Sequence, residues 1–486
     1  MGVKGSLLSW FESYLENRHQ RVVIENRMSN LSHILAGVPQ GSILGPLLFL
    51  IFINDIDQNV NSCLSLFADD TALVHIFSNA EKAENVINKD MRTLTSWSKS
   101  WFIKFNPIKT KYMIISNKKG IMKSKLNLLL KFCTPLDQVS NHKHLGLTFS
   151  DDLKWSNHID NIVKSANRKI GLLYRCRDKI KRKDKIKIYT SIIRPSIEYA
   201  SVIYHNCSLS DSKKIESLQK FAARVCTGAM RRTEYKALLR ELGWESLKTR
   251  RLVSKGLLTF KIIKGHTPHF LKSNFAAPRQ TSRPSRNPKR FEIPFSKLNS
   301  YALSFFPSQT LFWNELSDEI VNCSSISLFR QAMLKKYDEF ADTCNDCNAY
   351  HSCNSYYGKI LTQIRLGLSP LRLHMFEFQL TDNPICPSCR NEIESVSHLF
   401  LNCSMYNTDR NELFCKLNRL VVNWTILKNK EKIDLLINGH KLDVFTNRTF
   451  YSITSENIVI FKLVCDFLKS IRRFAYSINL YNIMPV

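Results

Sequence analysis

Apolar residues recur with two different spacings along the chain, and both occur in its first third. Apolar positions at helical spacing predict helices at 5–17, 46–56 and 80–104. Short runs of β-branched and aromatic residues predict strands at 20–25, 32–36, 63–67, 71–76, 111–116 and 144–148. Helices and strands mixed over residues 1–150 are typical of the α+β class.

The pattern becomes helical and basic after residue 156, which divides the chain further. Residues 276–294 hold four Pro, four Arg and one Lys with few apolar positions, as a linker or basic loop does. We expect 1–150 to be the α+β region, followed by a helical basic region at 151–275, a linker and helical segment at 276–340, a Cys/His region at 341–415 and a C-terminal helical region at 416–486.

The charge balance favours a polyanionic partner. The chain has 70 Lys and Arg against 41 Asp and Glu, a net charge of +29. Nucleic acid is the simplest partner, with a membrane surface as the weaker alternative.

The sequence also bears on where the protein is found. The apolar run Ile43–Ile53 is too short to span a bilayer, and Met1–Gly5 does not read as a secretory signal. We therefore expect an intracellular protein, cytoplasmic or nuclear, that binds no membrane. The basic stretch Lys179–Lys187 fits a solvated helix face, a phosphate contact or a nuclear address.

Cysteines cluster late in the chain. The spacing C-x2-C-x8-H-x4-C occurs at Cys386, Cys389, His398 and Cys403. Four nitrogen and sulfur ligands with one tight CxxC suit tetrahedral structural Zn²⁺, and buried free cysteines are the alternative. A second group has very short spacers and is the weaker candidate for a metal site; it comprises Cys344, Cys347, His351 and Cys353.

Two adjacent carboxylates, Asp69 and Asp70, follow Phe67-Ala68 between two strand-like runs. Unpaired charge is expensive to bury, so these residues form either a solvated turn or a place that holds cations. A glycine-rich segment, Ala36–Phe49, precedes them and would let a ligand approach the main chain closely. Alone, that segment could equally be a structural strand–turn–helix connection.

Four motifs in order resemble the reverse transcriptases of non-LTR, LINE-type retrotransposons, most closely jockey and CR1-like elements. They are GVPQGSILGPLLF within Ala36–Phe49, FADD at Phe67–Asp70, NPIKT at Asn106–Thr110 and HLGL at His144–Leu147. The likeness continues through most of residues 1–410. It implies a partial right-hand polymerase palm, a mostly helical thumb and a small zinc-binding region.

The resemblance assigns roles to single residues. Asp69 would be the main ligand of two catalytic Mg²⁺ ions and Asp70 a supporting one. The other assignments concern substrate: nucleotide and template contacts at Gln40, Gly41 and Lys109, and a primer grip at Leu145 and Gly146. Lys109 could instead be an ordinary surface lysine. The implied partners are an RNA template, a DNA primer or target, and deoxynucleotides.

One departure from the family pattern affects the expected activity. The pattern places another catalytic Asp, and the fingers, upstream of the part that resembles Val3–Gln20. Asp55 and Asp57 do not fit that role. We therefore expect a fragment of an RNA-directed DNA polymerase without activity of its own. The alternative is a non-catalytic remnant that still binds nucleic acid.

Overall fold

The chain forms two compact units, Met1–Leu153 and Lys154–Val486. The structure is a computed structural model that describes residues 3–39, 41–116, 125–130, 134–277, 290–337, 356–440 and 450–474. Each unit has its own buried apolar residues.

The first unit contains helices and short paired strands. Its helices are α1 (Ser6–Leu15), α2 (Leu44–Ile53) and α3 (Ala80–Ser100). The antiparallel pairs are β1 (His19–Gln20) with β4 (Ser32–His33), β2 (Val23–Ile24) with β3 (Arg27–Met28), β5 (Cys63–Phe67) with β6 (Asp70–Val74), β8 (Leu129–Leu130) with β9 (Thr134–Pro135), and β11 (Asn141–His144) with β12 (Leu147–Ser150). A parallel pair joins β7 (Lys111–Tyr112) to β10 (Asp137–Gln138). The predicted mixture of helices and strands is confirmed.

Helix α3 organises the core of this unit. Asn79 caps its N-terminus by accepting a hydrogen bond from the Lys82 amide. Its inward face buries Met91 and Leu94, and the other core residues come from the end of α2, the turn after it, and the short strands and connecting segments that follow α3. The apolar spacing of the sequence predicted this face, since residues three and four apart lie on one side of a helix.

The prediction of two strands at 20–25 and 32–36 is wrong in detail. The structure has four two-residue strands there instead. Glu25 and Asn26 have φ of 45° and 63°, so the chain turns back between β2 and β3. Positive φ is uncommon outside glycine, and Asn tolerates it best. The asparagine just after the predicted strand was therefore the signal of this turn.

The second unit is helical over the residues that the structure describes. Helix α5 (Arg182–Ile188) continues through a π-helical turn (Tyr189–Ile193) into α6 (Arg194–Glu198). The α-helices are α4 (Ser156–Arg175), α5 (Arg182–Ile188), α6 (Arg194–Glu198), α7 (Leu209–Thr227), α8 (Tyr235–Leu242), α9 (Leu247–Ile263), α10 (His269–Lys272), α11 (Asn299–Ala302), α12 (Phe305–Asn314), α13 (Asp318–Val321), α14 (Ile326–Tyr337), α15 (Tyr356–Arg365), α16 (Arg372–Glu377), α17 (Asn407–Leu420), α18 (Asn429–Asn438) and α19 (Phe450–Ser470).

Among the described residues of this unit, two large apolar clusters contribute to its core. One gathers Phe260, Trp313 and Phe329 from α9, α12 and α14. The other surrounds Phe400 and Phe461 and joins the Cys/His region to the C-terminal helices. Among the described helices, none is both long and apolar enough to cross a bilayer.

Candidate active site and metal centre

The acidic pair lies at the tip of the β5–β6 hairpin. Phe67 and Asp70 face each other across the two strands, so Ala68 and Asp69 form a two-residue turn. Ala68 has φ of 51°, a left-handed conformation that tight hairpin turns use and that glycine adopts more easily. Both aspartates are exposed. The predicted hairpin is confirmed, and its tip presents two carboxylates to solvent.

A two-carboxylate site leaves room for other ligands. In the part of the chain that the structure describes, one group of three or more His, Cys, Asp or Glu side chains is close enough to share a metal, and it does not include Asp69 or Asp70. Carboxylate oxygens suit Mg²⁺, which demands near-octahedral coordination and usually keeps several waters or substrate phosphates. The pair therefore offers carboxylate oxygens for part of the coordination shell of a magnesium ion, and the remaining positions need other ligands.

A buried carboxylate fixes the base of this hairpin. Asp90 of α3 has no exposed surface and accepts four hydrogen bonds. They come from the amide and side chain of Asn61, at 2.8 Å each, and from the amide and hydroxyl of Ser62, at 3.0 and 2.6 Å. Burial raises the pKa of Asp90, but the bonds from Asn61 and Ser62 outweigh it and hold the pKa below its usual value. The charged form of Asp90 thus ties α3 to the start of β5.

Two of the residues expected to contact nucleotide, Gly41 and Lys109, lie on turns. Gly41 is exposed with φ of 79°, and Ser42 beside it accepts a hydrogen bond from the Gly45 amide at the start of α2. Lys109 is exposed in a turn where the Asn106 side chain accepts hydrogen bonds from the amides of Ile108 and Lys109. No hydrogen bond or ion pair links Lys109 to the acidic hairpin within the described residues. Gln40 lies outside them.

The prediction of a strand at 144–148 is wrong. Leu145 and Gly146 form the turn between β11 and β12, with φ of 46° and 82°. Leu147 is buried after the turn, whereas Gly146 is exposed. The two residues assigned to the primer grip therefore share a hairpin tip.

Asp55 has a structural partner. Its carboxylate accepts a hydrogen bond from the Trp97 indole at 2.8 Å, which joins the end of α2 to α3. Asp57 is exposed in the same turn. Neither residue belongs to the group of possible metal ligands found among the described residues.

The late Cys/His residues do come together. One ligand atom from each of four side chains lies within 4.8 Å of every other, and the four residues are Cys386, Cys389, His398 and Cys403. Cys386 and Cys403 have no exposed surface. Ligand bonds of about 2.0–2.3 Å around tetrahedral Zn²⁺ place the ligand atoms roughly this close together. The residues therefore fit a structural zinc ion.

Neighbouring groups orient the histidine of this cluster and shift the pKa values of two of its cysteines. His398 Nδ1 lies 2.8 Å from a Glu392 carboxylate oxygen, which leaves Nε2 facing Cys389 Sγ at 3.4 Å. A carboxylate on the far nitrogen commonly fixes the ring of a metal-binding histidine. Backbone amides of Asn391 and Glu392 lower the pKa of Cys389 to about 7, whereas burial raises that of Cys403 to about 12. A bound cation would replace the Cys403 proton.

Sequence reasoning missed Asp90 and Glu392. The sequence around each of these charged residues is typical of an exposed surface, and their hydrogen-bond partners come close only when the chain folds. The second Cys/His group, predicted as the weaker metal site, lies outside the described residues. Its four members are Cys344, Cys347, His351 and Cys353.

Comparison with known proteins agrees with the motif order. Residues 1–149 match the family model described as reverse transcriptase (RNA-dependent DNA polymerase). The chain is 28% identical over 230 residues to the RNA-directed DNA polymerase from mobile element jockey of Drosophila melanogaster, covering 45% of this chain and 25% of that protein. It is 28% identical over 225 residues to the probable RNA-directed DNA polymerase from transposon X-element of the same species, covering 45% and 24%.

A third relative is the probable RNA-directed DNA polymerase from transposon BS, also of Drosophila melanogaster. It is 28% identical over 234 residues, which cover 44% of this chain and 25% of that protein. The chain thus aligns with about a quarter of the length of the curated relatives it matches. With the acidic hairpin lying inside the matched segment, the predicted resemblance is confirmed: residues 1–149 belong to the reverse transcriptase family, of the kind found in LINE-type, non-LTR retrotransposons.

Proposed function

We propose that this chain supplies the catalytic hairpin of a non-LTR retrotransposon RNA-directed DNA polymerase, together with a nucleic-acid-binding region that follows it. The observation that carries the proposal is the exposed Asp69–Asp70 pair at a hairpin tip inside the segment that matches the reverse transcriptase family. Paired carboxylates of this kind hold the magnesium ions of nucleotidyl transfer.

Different residues of this chain would have different roles at the site. Asp69 and Asp70 would hold Mg²⁺, which, when bound, activates the primer 3′ oxygen and neutralises the leaving pyrophosphate. Asp90 would keep the hairpin in place through Asn61 and Ser62. Lys109, exposed and cationic, would contact nucleotide phosphates.

The primer and the template would meet two further turns. Leu145 and Gly146, at the β11–β12 tip, would support the primer backbone. Gly41 offers an exposed main chain to the template or to the incoming nucleotide, with Gln40 beside it in the sequence. The substrates are accordingly an RNA template, a DNA primer and deoxynucleotides.

Primer extension tests the catalytic part of the proposal. We expect the purified 486-residue chain to give no extension of a DNA primer on an RNA template, because Asp69 and Asp70 have no third acidic ligand beside them among the described residues. Extension that an Asp69→Asn change abolishes would overturn this expectation of inactivity and establish the polymerase directly.

A metal-binding measurement tests whether the acidic hairpin can hold catalytic metal ions, as opposed to a protein that only binds nucleic acid. Mn²⁺, a paramagnetic substitute for Mg²⁺, should bind in the presence of primer–template and deoxynucleotide, as measured by water proton relaxation. We expect Asp69→Asn to reduce this binding and Asp57→Asn, an exposed control, to leave it unchanged. Equal binding by all three proteins would contradict the assignment of Asp69 and Asp70 as metal ligands.

The alternative function is nucleic-acid binding without chemistry, which the net charge of +29 favours. We expect RNA affinity to fall steeply with salt, because each neutralised phosphate of a single strand adds about −0.7 to the slope of log K against log salt. Fluorescence anisotropy between low and physiological salt measures that slope. RNA affinity that does not change with salt would rule out phosphate contacts as its main source.

We also propose that Cys386, Cys389, His398 and Cys403 bind structural Zn²⁺. Protein purified without added metal should contain one zinc per chain by elemental analysis. A Cys386→Ser variant that keeps all of that zinc would contradict the proposal, whereas Cys415→Ser, which changes an exposed cysteine nearby, is expected to keep it.

A further inference from the structure

A basic cavity lies within the second unit, away from the Cys/His ligands. Its volume is about 210 Å³. The walls come from the segment before α5, from α5 itself, from the end of α7 and from α15. Four lining side chains are cationic and one is acidic; they are Arg177, Arg182, Lys185, Lys359 and Asp178.

Lys185 is the buried cation of this cavity. Only 4% of its surface is exposed. Its Nζ makes one hydrogen bond, to the Arg177 carbonyl oxygen at 3.3 Å, and no carboxylate lies within ion-pair distance in the part of the chain that the structure describes. An ammonium has three donors, and a buried charge without an opposite charge is costly. Two donors of Lys185 are thus left for a ligand or water in the cavity.

The neighbouring cations are only partly balanced. Arg182 pairs with Glu241 at 2.8 Å, and Glu241 also pairs with Arg365. Asp178 is shared by Lys359 at 2.7 Å and Arg177 at 3.7 Å. These shared carboxylates leave the walls with an excess of positive charge.

The geometry points to a binding site for a phosphate group, and we propose that this cavity holds one. A phosphate group has several acceptor oxygens and negative charge, so it could bind the Lys185 ammonium and the Lys359 ammonium together. Thr362, whose hydroxyl accepts from Arg182 Nη1 at 3.1 Å, has its own hydroxyl proton available as a further donor. The site goes beyond the proposed polymerase function, since it does not involve Asp69 or Asp70.

The phosphate could come from a nucleic-acid backbone or from a small phosphate compound. The cavity reaches the protein surface at Asp178, a lining residue whose side chain is 65% exposed. A backbone phosphate could enter there without the rest of the strand being enclosed. The two sources share the same recognition chemistry and are separated by the experiment.

Inorganic phosphate is the first probe, added to the zinc-loaded full chain during thermal unfolding. We expect phosphate to raise the unfolding midpoint of the wild type and of Lys187→Met, which removes an exposed charge from the same helix. Lys185→Met should need about ten times more phosphate for the same rise in unfolding midpoint, because it loses a hydrogen bond from a charged donor. Equal responses of Lys185→Met and Lys187→Met would overturn the proposal.

A second variant keeps the test decisive if Lys185→Met does not fold, as judged by circular dichroism. Lys359 lies on α15 with 30% of its side chain exposed, so Lys359→Met should be tolerated. We expect it also to weaken the phosphate response relative to Lys187→Met. An undiminished response in Lys359→Met would then overturn the proposal.

Single-stranded RNA with a 5′ fluorescein is the second probe. If the occupant is a backbone phosphate, Lys185→Met lowers RNA affinity more than Lys187→Met and reduces the salt slope by about 0.7 relative to it. Equal RNA affinities with a lost phosphate response support the site with a small phosphate compound as its ligand. Asp69→Asn should leave both readouts unchanged, so failure of this site and failure of the polymerase proposal are distinguishable.

Discussion

Asp90 shows how one side chain can determine the placement of a candidate catalytic hairpin. The sequence predicted the apolar face of α3 from the spacing of Met91 and Leu94, but it gave Asp90 no special role. A charged residue on an amphipathic helix is usually solvated. Its partners, Asn61 and Ser62, are nearly thirty positions earlier, and only the packing of α3 against the segment just before β5 brings them together.

Replacing Asp90 should loosen the hairpin. We expect Asp90→Asn to destabilise the β5–β6 pairing by about 2–4 kcal/mol, because an amide offers one acceptor oxygen and places its NH₂ against donors. Hydrogen–deuterium exchange of residues 62–75 measures the loss as reduced amide protection. Asp57→Asn, at an exposed position of the same unit, should keep wild-type protection. Equal protection in both variants would contradict the anchoring role.

The same carboxylate gives the hairpin a pH dependence. Its pKa in the folded chain lies below the ordinary value of 3.8, so its stabilising contribution is complete above that pH and is lost as pH falls through the folded pKa. We expect the difference in hairpin protection between wild type and Asp90→Asn to shrink below pH 3.8. A difference that persists in strong acid would argue against the charged form of Asp90.

Glu392 is the corresponding unpredicted residue at the Cys/His centre. Removal of its contact with His398 Nδ1 should lower zinc affinity about 10- to 100-fold, since the ring then loses its orientation. Competition with a coloured chelator measures the change in Glu392→Ala, which leaves no acceptor for the proton on Nδ1. The exposed Glu377→Ala serves as the control and should match the wild type.

At the scale of elements, turns account for most of the differences between prediction and structure. The hairpin at 63–76 and helix α3 could be predicted because apolar spacing fixes which face is inward. The strand predicted at 144–148 failed because Leu145 and Gly146 have positive φ, and nothing in the apolar pattern reports φ. Only the glycine indicated a turn there.

The effect of turn conformation on hairpin stability can be tested at the β5–β6 turn. Ala68 has φ of 51°, so a β-branched residue there should be strained by about 1–2 kcal/mol. We expect Ala68→Val to reduce hairpin protection in hydrogen exchange, and Ala68→Gly to retain or slightly increase it. Ala72→Val provides the matched control within β6, where valine suits a strand. Equal effects of valine at both positions would show that the turn conformation does not limit this hairpin.

At the scale of the whole molecule, the Cys/His centre and the C-terminal helices share one apolar core. Cys386 and Cys403 are buried in the same cluster as Phe461 of α19. Arg473 reaches back to pair with Glu394, whose side chain has no exposed surface. The spacing of the cysteines predicted the four possible ligands, but it could not show that these late helices pack around them.

Removing the metal should therefore affect one part of the chain and spare another. We expect a strong zinc chelator to reduce amide protection in α15, α17 and α19, because metal binding energy is part of the folding energy of such a centre. Protection in α3, which belongs to the other compact unit, should not change. Cys386→Ser should reproduce the effect without chelator, and Cys415→Ser should not. Uniform loss of protection would contradict a local role for the metal.

The tie between Asp90 and the start of β5 also has a consequence for biosynthesis. The chain is made from its N-terminus, so Asn61 through Val74 leave the ribosome before α3 is complete. An isolated two-stranded hairpin is marginally stable in water. The nascent acidic hairpin would therefore sample open conformations until Asp90 emerges, and a pause in translation just before α3 would prolong the period in which its strand edges are exposed to other nascent chains.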